Sequence, residues 1–417
     1  GITAKARRGN VALIAQSGSA AISLMNSSSF GVTTVLTMGS EFQVTAPDYI
    51  RFFADDRSTE VVGVVLESIQ RADEFAEAVR LLYAAGKSLA VLKVGRSEVG
   101  NRAVQAHTGA MISRNEGYER FFARHHVPTA RDYDELIATL ECFAMTRQPS
   151  RGKRVGIIGI SGGETALACD VAADLGMLPA VFSDETKAKV RAVLPGASGS
   201  NPLDLGATVG HKPEHDSAAI EAILRDDGVD ALVFVQDCQA TLTPTMLNNY
   251  TPHMLKYAAH GQSAEKPVVV VSPTAENTHP RVHEIMGEHG VPVLRGMRAG
   301  LVALRNLGVL GEGRAGTASA AHQQNAAADD ILREIAGMRG PLAPTMTRRI
   351  LEAYGVPLVR SAIAADEAAV LSAAEKIGYP VVLKVESSDI PHRSDVGGVA
   401  VGITDAQALR AAMARMR

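Results

Sequence analysis

Apolar residues along the chain fall into short continuous runs separated by amphipathic stretches. Asn10 to Ala15 (NVALIA), Thr33 to Met38, Val61 to Leu66 (VVGVVL) and Ser88 to Val94 have strand length and no polar interruption. Between them TAPDYIRFFADD and Asp73 to Ala85 carry apolar residues at helical spacing, and Asn115 to Arg124 and Asp132 to Met145 close the block the same way. Uninterrupted strands alternating with amphipathic helices predict a parallel sheet covered on both faces.

The pattern then repeats. Arg154 to Ile160 (RVGIIGI), Ala231 to Val235, Pro267 to Ser272 (PVVVVS) and Val291 to Leu294 read as strands, with a helix after the first through Leu175 and one after the last to Leu307. NVALIAQSGSAAISLM and RVGIIGISGGETALAC share one plan: apolar strand, Ser-Gly-small turn, Ala-rich helix. Two flavodoxin-like units in tandem follow, one over residues 1–148 and one over 151–313. Residues 314–329, poor in large apolar side chains, read as a linker. Beyond it, over 330–417, come a helix from Pro344 to Tyr354, a strand after Gly355-Val-Pro, a helix from Ala364 to Ile377, a strand within GYPVVLKV and a last strand, GVAVGI.

Composition narrows the function. A net charge of −3 and a sequence pI near 6.5 point to neither nucleic acid nor a membrane surface as partner. Glycine is abundant (38) and tryptophan absent, which suits tight turns and disfavours aromatic stacking platforms. Cys142, Cys169 and Cys238 are scattered without metal or disulfide spacing, so the cytoplasm is the expected compartment. No run approaches the ~20 apolar residues of a membrane span. The chain opens on Gly1 and stops at Arg417 within a helical pattern, so it is expected to be part of a longer polypeptide.

Three stretches carry candidate chemistry. The segment 93–112, KVGRSEVGNRAVQAHTGAMI, reads as a mobile, basic, glycine-punctuated loop presenting His107. Ser17-Gly18-Ser19 and Ser161-Gly162-Gly163 each follow a strand and open a helix, where free backbone N–H groups favour phosphate; a plain βα turn is the competing reading. Neither turn has the dinucleotide or Walker spacing. Glu67 sits at the C-terminal end of a buried strand, the edge where α/β sites form, though such a carboxylate also serves as a helix cap. Lys384 stands among apolar neighbours, which is costly unless it meets an anion. Asn201 and Asp204 fit a structural turn better than a ligand contact. His279 and His283 have the i, i+4 spacing of zinc ligands without a third, and no metal site is expected.

These motifs, in this order, resemble the acyl-CoA synthetases (NDP-forming), relatives of succinyl-CoA synthetase. AQSGSA and AHTGAM are similar to that family's first CoA-ligase flavodoxin-like domain. ISGGETALACD and LPGASGSNPLDLG are similar to the second, and GYPVVLKVESSDIPHRSDVGGV resembles the first half of an ATP-grasp domain. The resemblance implies that His107 becomes phosphorylated and that Glu67 orients its imidazole. It implies further that the turns at 17–19 and 161–163 hold the phosphohistidine, that His392 relays the phosphoryl group and that Lys384 belongs to the nucleotide pocket.

The reaction implied interconverts acyl-CoA, ADP and phosphate with a carboxylic acid, CoA and ATP, through acyl phosphate and phosphohistidine. ATP/ADP with Mg2+ is the implied cofactor, with CoA a substrate and a homo-oligomer the implied assembly. The family's N-terminal CoA-binding domain and the magnesium carboxylates of the second ATP-grasp half are expected outside these residues. The competing reading is a catalytically degenerate regulatory region, as in some protein acetyltransferases. The presence of His107, Glu67 and His392 together favours the ligase.

Overall fold

Arg8–Ala15 (β1) forms an interior strand because Val11 to Ala15 are all buried, the pattern of a parallel strand covered on both faces. The computed structural model describes residues 7–39, 41, 43–108, 115–146, 150, 152–206, 213–319, 326–338, 342–386, 394 and 396–416. The chain divides into two compact units, one ending at Ser319 and the other starting at Ala320.

After β1 the first unit continues through α1 (Gly18–Ser27), β2 (Val32–Thr37), α2 (Ala46–Asp55), β3 (Val61–Leu66), α3 (Ala72–Ala84) and β4 (Ser88–Lys93). Then come α4 (Glu98–Thr108), α5 (Asn115–Arg124), β5 (Thr129–Ala130) and α6 (Tyr133–Met145). The strands order as β2-β1-β3-β4-β5, all parallel, the doubly wound arrangement whose switch point lies between β1 and β3. Leu13 of β1 lies opposite Gly63 of β3. A Cβ at Gly63 would stand 2.6 Å from Leu140 Cδ1, so the glycine lets α6 settle onto the sheet.

The second half of this unit runs β6 (Arg154–Gly159), α7 (Gly162–Asp174), β7 (Leu178–Pro179), α8 (Asp184–Val193), β8 (Leu203–Asp204) and α9 (Pro213–Arg225). It ends with β9 (Ala231–Val235), α10 (Pro244–Ser263), β10 (Val268–Ser272), α11 (Pro280–Glu288), β11 (Val293–Arg295) and α12 (Met297–Ser319). Its parallel sheet orders β11-β10-β9-β6-β7, with β8 also on β6. The side chains alternate between two cores with the strand period of two. Val155, Ile157, Val233, Val269 and Val271 join the core of the first sheet, beside Leu136 and Leu140 of α6 and Leu301 and Leu304 of α12. Ile158, Leu232, Phe234, Val268 and Val270 face a second core with Tyr257 and Ile285. Both sheets are the expected flavodoxin-like kind.

The expected loop at 93–112 is corrected: Glu98 to Thr108 is helical. Gly95 turns the chain with φ +76°. Ser97 Oγ then accepts from Gly100 N at 3.0 Å, Ser97 O accepts from Asn101 N at 2.8 Å, and Glu98 pairs with Arg102 at 3.0 Å, one turn on. A serine cap and an i, i+4 ion pair outweigh the glycine at 100. The expected linker is helical at both ends, since α12 runs to Ser319 and α13 (Ala326–Ile335) begins soon after.

The unit from Ala320 holds α13, α14 (Pro344–Ala353), α15 (Glu367–Ile377), β12 (Val381–Lys384), β13 (Val399–Ile403) and α16 (Ala406–Met416), with β12 and β13 antiparallel. Its buried core is Ala374, Ile403, Leu409 and Ala412. The strand expected after Gly355-Val-Pro does not form. Val359 and Ile363 project outward there, and no strand among the described residues pairs with this backbone.

Asn201 shows how a loop is locked to the second sheet. Its Oδ1 accepts from Ile157 N at 2.8 Å, and its Nδ2 donates to Val155 O at 2.9 Å and Ala180 O at 3.0 Å. It is the structural turn residue that LPGASGSNPLDLG suggested. Asn201→Ala removes all three of these hydrogen bonds, although Val155 O keeps the bond it accepts from Ala180 N, and is expected to cost about 2–4 kcal/mol in urea denaturation; a loss under about 0.5 kcal/mol contradicts this account.

Candidate active site

The C-terminal ends of β1, β3 and β4 bring the first group of residues together. Ser17 is the extended residue before α1, and its Oγ pairs with Ser19 Oγ at 2.9 Å instead of capping the helix. No heavy atom lies within 4 Å of a Cβ built on Gly18, and the first turn of α1 has no acidic residue. The helix therefore presents uncapped N–H donors and a positive dipole end to open space.

Gln16, one residue earlier, ties the edge together. Its Oε1 accepts from the backbone N–H groups of Glu67 and Ser68, and its Nε2 donates to Glu41. Glu41 also accepts from Ala46 N at 2.6 Å, and burial raises its pKa. Sequence reading gave Gln16 and Glu41 no role; one amide spanning two strand ends and a third turn has no linear signature.

Glu67 is half-buried at the end of β3, as expected. Leu66, the last residue of β3, lies opposite Lys93, which ends the next strand, β4, and is only 6 % exposed. Lys93 Nζ donates to Val94 O at 2.5 Å and sits 4.5 Å from the centre of the Tyr118 ring. Burial pushes its pKa down to about 8, against the attraction of the Glu67 carboxylate. Sequence reading took Lys93 as one of several loop cations; its position as the last residue of SLAVLK was the available signal. His107 falls in the last turn of α4, and its side chain lies outside the described residues.

Ser161-Gly162-Gly163 occupies the matching position after β6, again without a side-chain cap. Its surroundings differ. Glu164 lies in the first turn of α7, and its pKa is raised by burial and by Asp237. A Cβ on Gly162 would lie 2.7 Å from Asp204 Oδ2. The two turns look alike in sequence, yet the first turn of α1 holds no acidic residue, whereas that of α7 holds Glu164 and has Asp204 beside Gly162. Among the described residues the hydrogen bonds of these turns stay local, with Ser161 O accepting from Thr165 N at 3.0 Å.

Lys384 ends β12 on its exposed side, which corrects the expectation of a lysine held among buried apolar neighbours. Alternation in a two-stranded sheet turns it outward, so burial supplies no argument for an anion there. His392 lies outside the described residues. His279 precedes α11 and its Nδ1 accepts from Arg281 N at 3.1 Å, a capping role. Among the described residues, no group of three or more His, Cys, Asp or Glu side chains converges as a metal site, and no helix is long and apolar enough to cross a membrane.

Comparison with known proteins agrees with this architecture. Residues 8–143 match the succinyl-CoA ligase-like flavodoxin domain, and residues 334–417 match an ATP-grasp domain. A trans-feruloyl-CoA synthase from an unknown prokaryotic organism is 27 % identical over 389 residues, 92 % of this chain and 53 % of that protein. The ADP-forming 4-hydroxybutyrate–CoA ligase of Nitrosopumilus maritimus is 26 % identical over 407 residues, 96 % of this chain and 57 % of that protein. The dinucleotide-forming acetyl-coenzyme A synthetase 1 of Ca. Korarchaeum cryptofilum, solved with phosphate and ADP, shares the fold at a TM-score of 0.64 and 23 % identity, covering 76 % of this chain and 67 % of that one. The chain is thus an α/β protein with a CoA-ligase flavodoxin-like domain and ATP-grasp sequence. It is a relative of the ADP-forming acyl-CoA ligases, and it spans about half the length of the curated relatives it matches.

Lys93 yields a prediction with a defined sign. Its folded pKa lies below the ordinary lysine value of 10.5. The folded state therefore gives up this proton first, and the cost of burying the charge is present in full below about pH 8 and relieved as pH rises toward 10.5. Lys93→Met is expected to stabilise the protein by about 1–3 kcal/mol at pH 7, with the gain vanishing above pH 10.5. Urea denaturation of both proteins across this range checks it; a variant less stable than wild type at pH 7 refutes it.

Proposed function

We propose that this chain is the phosphoryl-carrying part of an acid–CoA ligase (NDP-forming). The reaction interconverts acyl-CoA, ADP and phosphate with a carboxylic acid, CoA and ATP, through acyl phosphate and phosphohistidine at His107. The observation that carries this reading is the placement of Glu67 and Lys93, whose charges attract, at the ends of adjacent strands on the edge from which α4, bearing His107, departs. That edge lies in the part of the chain similar to the succinyl-CoA ligase flavodoxin domain.

The chemistry follows from residue types. A neutral imidazole is a competent nucleophile near pH 7. Glu67, accepting from its other ring nitrogen, would fix the tautomer and stabilise the charge developing on the ring. Lys93 supplies a cation beside the incoming anion, and the open N-terminus of α1 at Ser17-Gly18-Ser19 supplies N–H donors. Ser161-Gly162-Gly163 is proposed as the second phosphate-holding turn. Its carboxylate neighbours make it the weaker of the two, suited to releasing the phosphoryl group.

In the division of labour proposed, residues 1–148 carry the phosphohistidine, 151–313 the second turn, and 330–417 the start of the nucleotide site, with Lys384 on the nucleotide and His392 as relay. The exposed position of Lys384 leaves it accessible to a phosphate. The magnesium expected with ATP/ADP has no protein-built cage among the described residues. The same reading makes the protein a cytoplasmic homo-oligomer acting on a small carboxylic acid and CoA. The relatives named for feruloyl and 4-hydroxybutyrate substrates define the panel of acids to try.

The test uses the full natural polypeptide that contains this chain, incubated with labelled phosphate and acyl-CoA or with γ-labelled ATP. Base-stable, acid-labile label is expected, lost in His107→Ala and formed about 100-fold more slowly in Glu67→Gln. Absence of label from both donors overturns the ligase reading, and label that survives His107→Ala overturns the site.

A further inference from the structure

A cavity of about 310 Å³ lies between β4, β5, α5 and α12, at the small end of the range for ligand pockets. Four cations line it: Lys93, Arg96, Arg131 and Arg305. Its one acidic lining residue, Glu119, already accepts from Asn115 Nδ2 at 2.7 Å. Glu135, close by, has both oxygens engaged, accepting from Arg131 N at 2.8 Å and pairing with Arg298 Nε at 3.4 Å.

The cations themselves are poorly answered. Lys93 Nζ has a single acceptor among the described residues, the Val94 carbonyl. The guanidinium groups of Arg96 and Arg131 pair with no carboxylate among the described residues. Arg305 donates to Thr129 O at 3.2 Å and Asn306 Oδ1 at 3.1 Å, both uncharged; burial lowers its pKa, and the attraction of Glu135, itself shared with Arg298, is opposed by the repulsion of Arg131 and Arg298. Lys93 and Arg305 are the desolvated pair of the four, Arg96 is half-buried and Arg131 is exposed at the rim. An anion entering the cavity would meet two poorly solvated cations and two more accessible ones, where its attraction is weakly screened. The remaining wall is apolar, with Phe122, Val127 and Val309.

The geometry points to this cavity as a binding site for a small organic anion, whose carboxylate or phosphate head meets the four cations and whose short apolar body lies on Phe122, Val127 and Val309. Lys93 belongs both to this cavity and to the edge carrying Glu67, so a bound head group stands beside the proposed phosphoryl site. Its identification as the acid or acyl-phosphate substrate site rests on the ligase reading above; the anion chemistry of the cavity does not.

Calorimetric titration of the full natural polypeptide with acetate, isobutyrate, a phenylpropenoate and inorganic phosphate tests the assignment. Isobutyrate and the phenylpropenoate are expected to bind more tightly than acetate, with phosphate competing for the head position. Arg96→Gln with Arg131→Gln is expected to weaken binding at least tenfold while leaving the Tm of the ligand-free protein unchanged or raised, because these charges are unanswered in the fold. A lowered Tm with unchanged affinity assigns the arginines to structure and overturns the proposal. So does failure of every probe to saturate, or binding of phosphate without competition from the carboxylates. His107→Ala separates the two readings: it is expected to keep this binding even as it abolishes labelling. Binding without any wild-type labelling sinks the ligase reading alone, and labelling without binding sinks this site alone.

Discussion

The first unit depends on one demand: two parallel sheets, each apolar on both faces, must be covered on both sides. Helices α6 and α12 meet that demand for the first sheet and for one face of the second within a single core. Asn306 of α12, 1 % exposed, fastens the arrangement by donating to Thr129 O of β5 at 3.1 Å and Thr139 Oγ1 of α6 at 3.0 Å. A buried amide satisfied by two elements at once specifies a packing geometry that apolar contacts alone leave loose. The cationic cavity sits beside this junction, so its walls are borrowed from elements far apart in the chain.

The same packing concentrates polar groups where the strands end. At the edge of the first sheet, Gln16 links the turns after β1, β2 and β3 through its one amide, and Lys93 is held beneath Tyr118 within reach of Glu67. Each feature is expensive by itself: a left-handed Glu41, a desolvated ammonium, an uncapped helix end. Their coincidence at one edge is what distinguishes a site from scattered irregularities.

Duplication gave the second sheet the same strand–turn–helix plan and a different electrostatic character. Glu164, Asp204 and Asp237 surround the turn at 161–163, whereas the first turn of α1 carries no acid. In the unit from Ala320, a two-stranded sheet with a core of four buried residues leaves Val382 and Val401 outward-facing, so Lys384 is presented without burial.

The apolar runs of the sequence by themselves determined the strands, their parallel pairing and the tandem units, because a strand buried on both faces admits almost no polar residue. They also determined where Glu67 and the two Ser-Gly turns would fall, since strand ends define the functional edge of such sheets. Tertiary structure decided the rest. It made residues 98–108 of the expected loop at 93–112 a capped helix, because a serine cap and one ion pair outweigh a glycine. It buried Lys93 and exposed Lys384, reversing the weight that sequence placed on them, because burial belongs to neighbours and not to a residue's own run. It set apart two turns that read alike, and it gathered Lys93, Arg96, Arg131 and Arg305 from three distant segments around one cavity. Local periodicity encodes elements; the charges that meet across them are chosen only when those elements pack.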